Sequence, residues 1–153
     1  RKTEFPLRMR RAGKPVLRFF VYCRDIQFMN KLVFPIKVFV YGTLKRGGSN
    51  HDVMVRAGGK FLCEAKTADL RKLIVTYLPY LCDDHAPDGY QVEGEIFEIP
   101  DEQGLDKIDT LEGNGSFYLR RLDDFIELDS ANEHTAWVYY IMREMDGEPR
   151  KSF

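Results

Sequence analysis

Lys37-Val38-Phe39-Val40-Tyr41-Gly42-Thr43-Leu44-Lys45-Arg46-Gly47 is a β-branched and aromatic run that passes directly into a turn bounded by glycines. Such a run predicts a strand over 37–41 that stops at Gly42. Successive backbone N–H groups in a glycine-bounded turn can bind an anion or a carbonyl oxygen. The stretch therefore predicts a strand that leads into a ligand-binding loop, and a plain turn without a ligand is the alternative.

A phosphate-binding loop is the first rival interpretation of this turn. The Walker pattern requires G-x-x-x-x-G-K-[ST]. Gly42, Gly47 and Ser49 fit that pattern, but Gly48 stands where the lysine is needed. Without the lysine the clamp on the β- and γ-phosphates is missing, so the sequence argues against nucleotide binding.

Outward from this loop, the chain reads as strands with little helix. Asn50 is placed to cap a short helix over 51–57, and Pro100-Asp101-Glu102 begins a second helix that runs to about Leu111 and ends at Gly113. Pro79 and the polar residues 83–89 predict a loop. Further strands are predicted over 60–65, 72–78, 90–99, 117–128 and 136–142. The last strand is apolar on both faces, which indicates a central strand covered on both sides.

The amino-acid composition limits the classes of protein to which this chain can belong. The chain has 153 residues, of which 44% are hydrophobic and 13% aromatic, enough for one globular domain with a core. The formal net charge of −1 gives no global basic field for nucleic acid. No apolar run approaches the roughly 20 residues that span a bilayer. We therefore expect neither a nucleic-acid nor a membrane partner.

Cysteine and histidine give no metal or redox pattern. Cys23, Cys63 and Cys82 are widely spaced, which favours free thiols in a reducing compartment and hence a cytoplasmic protein. His51 and His134 have no ligand-like partners in the sequence. The acidic loop of residues 83–88 is interpreted as solvated, with a cation site as the alternative.

Charge divides the chain into segments. Residues 1–28 contain eight Lys/Arg and two acidic residues, whereas residues 29–153 contain fifteen and twenty-two. We expect residues 1–28 to be a basic, poorly ordered extension, residues 29–147 to form the domain, and residues 148–153 to be a tail. A mitochondrial-type presequence and a patch for nucleic acid or anionic lipid are the alternatives for the extension.

The second predicted helix carries the most informative carboxylate. Leu105, Ile108 and Leu111 form one apolar stripe, and Glu112 falls about 40° from the centre of that stripe. A carboxylate on the apolar side of a helix needs a partner or a function, and burial would raise its pKa towards the range of a useful base. A frayed helix end with Glu112 in solvent is the alternative.

These motifs, taken together, resemble a known family. They are Val38-Phe39-Val40-Tyr41-Gly42-Thr43-Leu44-Lys45-Arg46-Gly47 with Asn50, then Val92-Glu93-Gly94-Glu95-Ile96-Phe97, Ile108-Asp109-Thr110-Leu111-Glu112-Gly113 and Tyr118-Leu119-Arg120. In this order they look like the γ-glutamylcyclotransferase-like superfamily, and most like its γ-glutamylamine cyclotransferase, or AIG2-like, branch. The resemblance covers roughly residues 32–143.

The resemblance implies an α+β fold, a small mixed β-barrel-like sheet with a few short helices. It implies the release of 5-oxoproline and an amine from a small γ-glutamyl substrate, without metal or organic cofactor. It implies that Tyr41, Gly42, Thr43 and Leu44 hold the γ-glutamyl part, largely by main-chain groups. It also implies that Glu112 is the catalytic base.

Elementary chemistry agrees with that assignment. The α-amine of the substrate attacks its own γ-carbonyl, so the site needs a base and donors for an oxyanion. Tyr118 is expected to bind substrate or orient Glu112, with a core aromatic residue as the alternative. Asp109 is expected to brace the helix and Arg120 to form an ion pair. The alternatives for function are turnover of γ-glutamyl amino acids or glutathione, and a non-catalytic small-ligand-binding module.

Overall fold

The computed structural model of the chain describes residues 32–84 and 86–153. Its strands are β1 (Ile36–Val40), β2 (Lys60–Thr67), β3 (Lys72–Val75), β4 (Pro79–Cys82), β5 (Glu93–Ile99), β6 (Tyr118–Glu127) and β7 (Glu133–Ile141). Its helices are α1 (His51–Arg56) and α2 (Glu102–Glu112). Five strands close into a barrel in the order β1-β5-β2-β6-β7, and β3 and β4 form a separate pair. The predicted α+β fold with a small barrel-like mixed sheet is confirmed.

Strand β1 closes the barrel and directs the chain into the loop that follows it. It pairs antiparallel with β5, from Ile36 opposite Ile99 to Val40 opposite Glu95. It also pairs in parallel with β7, where Val38 lies opposite Trp137. Because β1 has a neighbour on each side, the start of the loop at Tyr41 is fixed by the barrel wall.

The barrel interior is filled by aromatic and branched side chains. Phe39 stacks on Phe125 with 4.1 Å between ring centroids, and these two residues are 1% and 0% exposed. Gly94 of β5 lies against this layer, since a Cβ added there would be 2.4 Å from the Val40 carbonyl oxygen and 2.6 Å from the Phe39 ring. The glycine therefore allows β5 to approach β1 closely.

Helix α2 has the ends that its sequence predicts. The Asp101 side chain accepts a hydrogen bond from the Gly104 N–H at 2.8 Å, and Gly113 ends the helix with φ 61° and ψ 47°. Ile108 is buried, but Leu111 is 40% exposed, so the expected apolar stripe does not continue inward to this residue. The helix instead brings its last turn to the surface of the barrel.

The segment around Pro79 differs from its prediction. We expected a strand over 72–78 followed by a loop at Pro79, whereas β3 ends at Val75 and Pro79 begins β4. The two strands pair antiparallel, with Val75 opposite Pro79. A proline is tolerated here because it is the first residue of its strand. The apolar residues after it, including Leu81 at 0% exposure, pack on the barrel core.

The last strand is covered on both faces, as predicted. Val138, Tyr139 and Tyr140 are consecutive and at most 2% exposed. The strand begins at Glu133 rather than at residue 136, because its polar start continues the antiparallel pairing with β6. No helix in the described part of the chain is long and apolar enough to cross a bilayer.

The structure describes only part of the predicted segments and two of the three cysteines. The expected extension over 1–28 lies outside the described residues, as does Cys23. Residues near the end of the chain contact the domain, since the Lys151 carbonyl oxygen accepts a hydrogen bond from the Glu93 N–H at 2.9 Å. Cys63 and Cys82 are buried free thiols.

We expect Gly94→Ala to destabilise the fold by about 1–3 kcal/mol, the usual cost of overpacking. The new methyl group would force β5 away from the Val40 carbonyl. The free energy of urea unfolding measures the effect, with Glu98→Ala, at a half-buried position of the same strand, as the control. An unchanged unfolding midpoint for Gly94→Ala would show that this close approach imposes no constraint.

Candidate active site

A cavity of about 340 Å³ lies where β1 ends and α2 ends. All six residues that the sequence predicts for the site line it, namely Tyr41, Gly42, Thr43, Leu44, Glu112 and Tyr118. They come from the first loop, the last turn of α2 and the start of β6, which are distant in sequence. The fold therefore brings the predicted base and the predicted binding loop together.

The loop presents backbone donors to this cavity. In the described structure, the N–H groups of Gly42, Thr43 and Leu44 donate to no other group of the chain. The side chain of Asn50 donates to the Thr43 hydroxyl at 3.0 Å, and its N–H donates to the Thr43 carbonyl at 3.0 Å. The expected role of Asn50 as a side-chain helix cap is therefore wrong, because its amide holds the loop instead.

The buried carboxylate of Glu95 holds the binding loop at Arg46. Glu95 of β5 is 8% exposed and accepts hydrogen bonds from the Arg46 backbone N–H at 2.9 Å and from Arg46 Nε at 3.1 Å. The Arg46 guanidinium also lies 3.5 Å from the centroid of the Phe61 ring. A charge-assisted pair of bonds to one side chain restrains the loop more than a single contact would.

Glu112 occupies the last position of α2 and lines the cavity. It is half-buried, and its carboxylate has no hydrogen-bond or ion-pair partner among the described residues. Burial raises the pKa of this carboxyl from 4.5 to about 7. A carboxyl group with these properties exchanges protons near neutral pH, as a general base must.

The two tyrosines of the site point their hydroxyl groups at the protein backbone. The Tyr41 hydroxyl donates to the Tyr139 carbonyl at 2.6 Å, and the Tyr118 hydroxyl donates to the Pro79 carbonyl at 3.1 Å. Burial, and then the Glu112 charge, raise the pKa of both phenols. Both residues therefore stay neutral, and in this structure Tyr118 does not donate to Glu112.

Asp109 holds the end of α2 against the barrel. Its carboxylate accepts a hydrogen bond from the Tyr139 hydroxyl at 2.5 Å and pairs with Arg120 Nε at 3.1 Å. The Arg120 guanidinium also lies 4.9 Å from the ring centroid of Trp137. The expected bracing role of Asp109 and the expected ion pair of Arg120 are both present.

Several cavity residues were missed by sequence reasoning. They are Leu78, Pro79, Thr110, Phe117, Tyr139 and, as a lining residue, Asn50. Tyr139 reads as a core residue of an apolar strand, and Pro79 reads as the start of a loop in a segment that resembles the amine branch. Their positions in the wall depend on pairing between distant strands, so the only local signal was adjacency to predicted motifs, as for Phe117 beside Tyr118.

Comparison with known proteins identifies the family to which this chain belongs. The model of the family described as "Gamma-glutamyl cyclotransferase, AIG2-like" matches residues 38–152. The chain belongs to this family. The matched residues include every residue that lines the cavity.

Named relatives support the same assignment. A gamma-glutamylaminecyclotransferase of Rattus norvegicus is 40% identical over 90 residues, which cover 54% of this chain and 58% of that protein. The Mus musculus protein of the same name is 34% identical over 123 residues, covering 75% and 71%. The crystal structure of an AIG2-like protein from Mus musculus superposes with a TM-score of 0.72 at 27% identity, covering 79% of this chain and 89% of that one.

Charge inside the cavity of this AIG2-like domain is limited to one residue. Among the residues that line it, in the described part of the chain, Glu112 alone is ionisable to a carboxylate, and no lysine, arginine or histidine is present. An anionic group of a ligand would therefore meet backbone N–H groups and hydroxyls. The arrangement can accept a proton at Glu112 and stabilise negative charge at the loop.

A second cluster of titratable groups lies outside this cavity. Ligand-type atoms of Cys63, Glu127 and His134 are within 4.8 Å of one another, although the sequence shows no ligand-like partner for His134. However, Lys37 Nζ lies 3.2 Å from His134 Nδ1, and Glu127 Oε2 lies 3.0 Å from Nε2. Both ring nitrogens already have partners, which accounts for the cluster as a hydrogen-bonded network.

We expect Glu112→Gln to be more stable than the parent protein at neutral and alkaline pH. Because burial raises the pKa of Glu112 from 4.5 to about 7, the folded state binds this proton more tightly than the unfolded chain. The cost of ionisation is absent below pH 4.5, grows up to pH 7 and is complete above it. The upper limit of this ionisation cost, and so of the stability gain, is about 3 kcal/mol.

Urea unfolding of the two proteins between pH 4.5 and 8.5 measures this difference. Glu148→Gln, at an exposed position, is the matched control. The stability gain of Glu112→Gln should increase from pH 4.5 to about 7 and then level off, whereas a gain independent of pH would mean that the carboxyl is solvated in the folded state.

Proposed function

We propose that this protein is a γ-glutamylamine cyclotransferase, which releases 5-oxoproline and a free amine from a γ-glutamyl amide. One observation carries the proposal: in the described part of the chain, a carboxylate with a pKa of about 7 and no partner shares a cavity with three backbone N–H groups that donate to no other group. The first group is a base, and the second set provides donors for a carbonyl oxygen. A cyclisation needs both of these from the protein.

The substrate supplies its own nucleophile. The neutral α-amine attacks the γ-carbonyl carbon to close a five-membered ring, and Glu112 accepts the proton that this nitrogen loses as the new C–N bond forms. The protonated Glu112 then donates this proton to the leaving nitrogen as the original C–N bond breaks. The products are 5-oxoproline and the amine, and the base returns to its starting state.

The loop from Gly42 to Leu44 stabilises the charge that develops. Its free N–H groups can donate to the oxyanion of the tetrahedral intermediate or to the α-carboxylate of the substrate. The Glu95–Arg46 contacts hold this loop before the substrate arrives. Donors that are already positioned need little rearrangement as the charge forms.

The aromatic wall favours a folded substrate. Tyr41 and Tyr118 have committed their hydroxyl groups to backbone carbonyls, so they present rings to the cavity. A confined γ-glutamyl chain loses rotational freedom before reaction, which can contribute several kcal/mol to the lower barrier. We assign both tyrosines to substrate binding through shape and contact rather than through proton transfer.

The amine branch is favoured over turnover of γ-glutamyl amino acids or glutathione. The rat and mouse relatives carry the amine-specific name. Among the described residues, none that lines the cavity is a cation that could bind a carboxylate next to the scissile bond. For the compartment, the buried free thiols Cys63 and Cys82 suit a reducing environment such as the cytoplasm.

Purified protein should release 5-oxoproline from γ-glutamyl-ε-lysine faster than from γ-glutamyl-alanine or glutathione. Glu112→Gln should lower the rate by at least about 100-fold, the scale of general base catalysis. Chromatographic measurement of 5-oxoproline with all three substrates tests the reaction, the base and the branch together.

The control for this assay is Glu102→Gln, at an exposed carboxyl on the first turn of the same helix. It should retain the parent rate. Absence of 5-oxoproline from every substrate would point to a non-catalytic binding module, and a preference for γ-glutamyl-alanine or glutathione would reassign the branch.

The fall of kcat/KM at acid pH should follow the protonation of Glu112. Because only the ionised carboxylate accepts a proton, activity should fall below pH 7, by about tenfold per pH unit once the pH is well under that value. Initial rates at low substrate concentration from pH 5 to 8 measure this fall. An apparent pKa near 4.5 would contradict the burial of the base.

A further inference from the structure

Four polar side chains meet at one end of the barrel. They come from the start of β1, the middle of β2, the end of β6 and the start of β7, and they are Lys37, Cys63, Glu127 and His134. The candidate active site lies at the other ends of these strands, because Tyr41 follows β1, Tyr118 begins β6 and Tyr139 lies near the end of β7. The cluster is therefore separate from the groups of the proposed reaction.

Two of these side chains approach the same ring nitrogen. Glu127 Oε2 lies 3.0 Å from His134 Nε2, and Cys63 Sγ lies 3.9 Å from it. The three ligand-type atoms are all within 4.8 Å of one another. A nucleophilic triad would instead place the thiol and the carboxylate on different nitrogens of the ring. The convergence on Nε2 is the arrangement of a ligand set rather than of an activated nucleophile.

This set of donor atoms suits zinc. Zn²⁺ binds thiolate sulfur at about 2.3 Å, and imidazole nitrogen and carboxylate oxygen at about 2.0–2.2 Å, in tetrahedral geometry. Two ligand atoms at such bond lengths lie about 3.3–3.6 Å apart. The separations of 3.0 and 3.9 Å at Nε2 are close to these values, so small side-chain shifts are sufficient. One thiolate and one carboxylate also balance the charge of the ion.

Paired strands hold the three side chains in position. Ala65 of β2 lies opposite Glu127 of β6, and Cys63 shares a face of β2 with Ala65 because side chains alternate along a strand. Strand β7 pairs with β6 up to the residue before Glu127. Hydrogen bonds with the Ser130 and Asn132 side chains also orient the Glu127 carboxylate. Ligating carboxylates in metal sites are held in this way.

We propose that Cys63, Glu127 and His134 form a zinc site with a water molecule as the fourth ligand. The side chains of His134 and Glu127 are 17% and 23% exposed, so the ion and the water can enter from solvent. On binding, the Cys63 thiol loses its proton to solvent, and the proton of the imidazole moves from Nε2 to Nδ1. The step transfers no electrons.

Lys37 limits the affinity of this site. Its Nζ lies 3.2 Å from His134 Nδ1. An ammonium group can only donate, so Nδ1 accepts and Nε2 carries the ring proton that Glu127 receives as a hydrogen bond. Zinc at Nε2 reverses these roles, because Nδ1 must then carry the proton and requires an acceptor. Lys37 has to turn away when the ion binds, and an acceptor at this position should favour binding.

Titration with cobalt and zinc tests the site in purified protein that has reduced thiols and no histidine tag. Co²⁺ should produce a sulfur-to-cobalt charge-transfer band, and Zn²⁺ should remove this band by displacing cobalt. Cys63→Ser should abolish the band and weaken zinc binding at least about 100-fold, because even groups that only orient ligands contribute 10–100-fold. Cys82→Ser is the matched control, since it removes another buried free thiol, and it should keep the band.

Lys37→Gln should strengthen zinc binding about tenfold, because an amide oxygen can accept the hydrogen bond from Nδ1. Calorimetric titration measures Kd, and a gain in affinity cannot result from a damaged fold. Lys60→Gln, at an exposed position of β2, is the control and should leave Kd unchanged. None of these measurements depends on turnover. A missing charge-transfer band, a band that persists in Cys63→Ser, or equal zinc affinity in Lys37→Gln and the parent protein would overturn the proposal.

Discussion

The Asp109 carboxylate joins the last turn of α2 to the barrel wall, and the geometry of the cavity depends on it. It accepts the Tyr139 hydroxyl from β7 at 2.5 Å and pairs with Arg120 of β6 at 3.1 Å. A charge held on both sides in this way fixes the rotation of the helix as well as its distance from the sheet. Glu112, one turn further along, reaches the cavity because that rotation is fixed.

Two carboxylates on one helix thus have opposite environments. Asp109 lies between a guanidinium and a phenol, so its charge is compensated. Among the described residues that line the cavity, the neighbours of Glu112 are apolar or neutral, and burial raises its pKa to about 7. The same chemical group serves as a structural anchor at one position and as a candidate base at the other, and the difference lies entirely in which partners the fold supplies.

Local features of the sequence explain why the loop and Glu112 could be predicted and much of the wall could not. The loop follows a strand with a strong pattern, and Glu112 precedes a glycine that ends a well-capped helix, so both signals are contained in a few residues. Pro79 and Tyr139 enter the site through pairing between strands, which a local pattern does not encode. The role of Asn50 was mistaken because its amide prefers Thr43 to the helix that it precedes.

The raised pKa of Glu112 also links ligand binding to the uptake and release of protons. When the cavity is empty near neutral pH, a large fraction of the molecules carry a proton on this carboxyl. A ligand that brings an ammonium group beside it favours the ionised form, so binding releases that proton to the buffer. Affinity for such a ligand then rises with pH through the titration of Glu112, and the heat of binding varies with the ionisation enthalpy of the buffer.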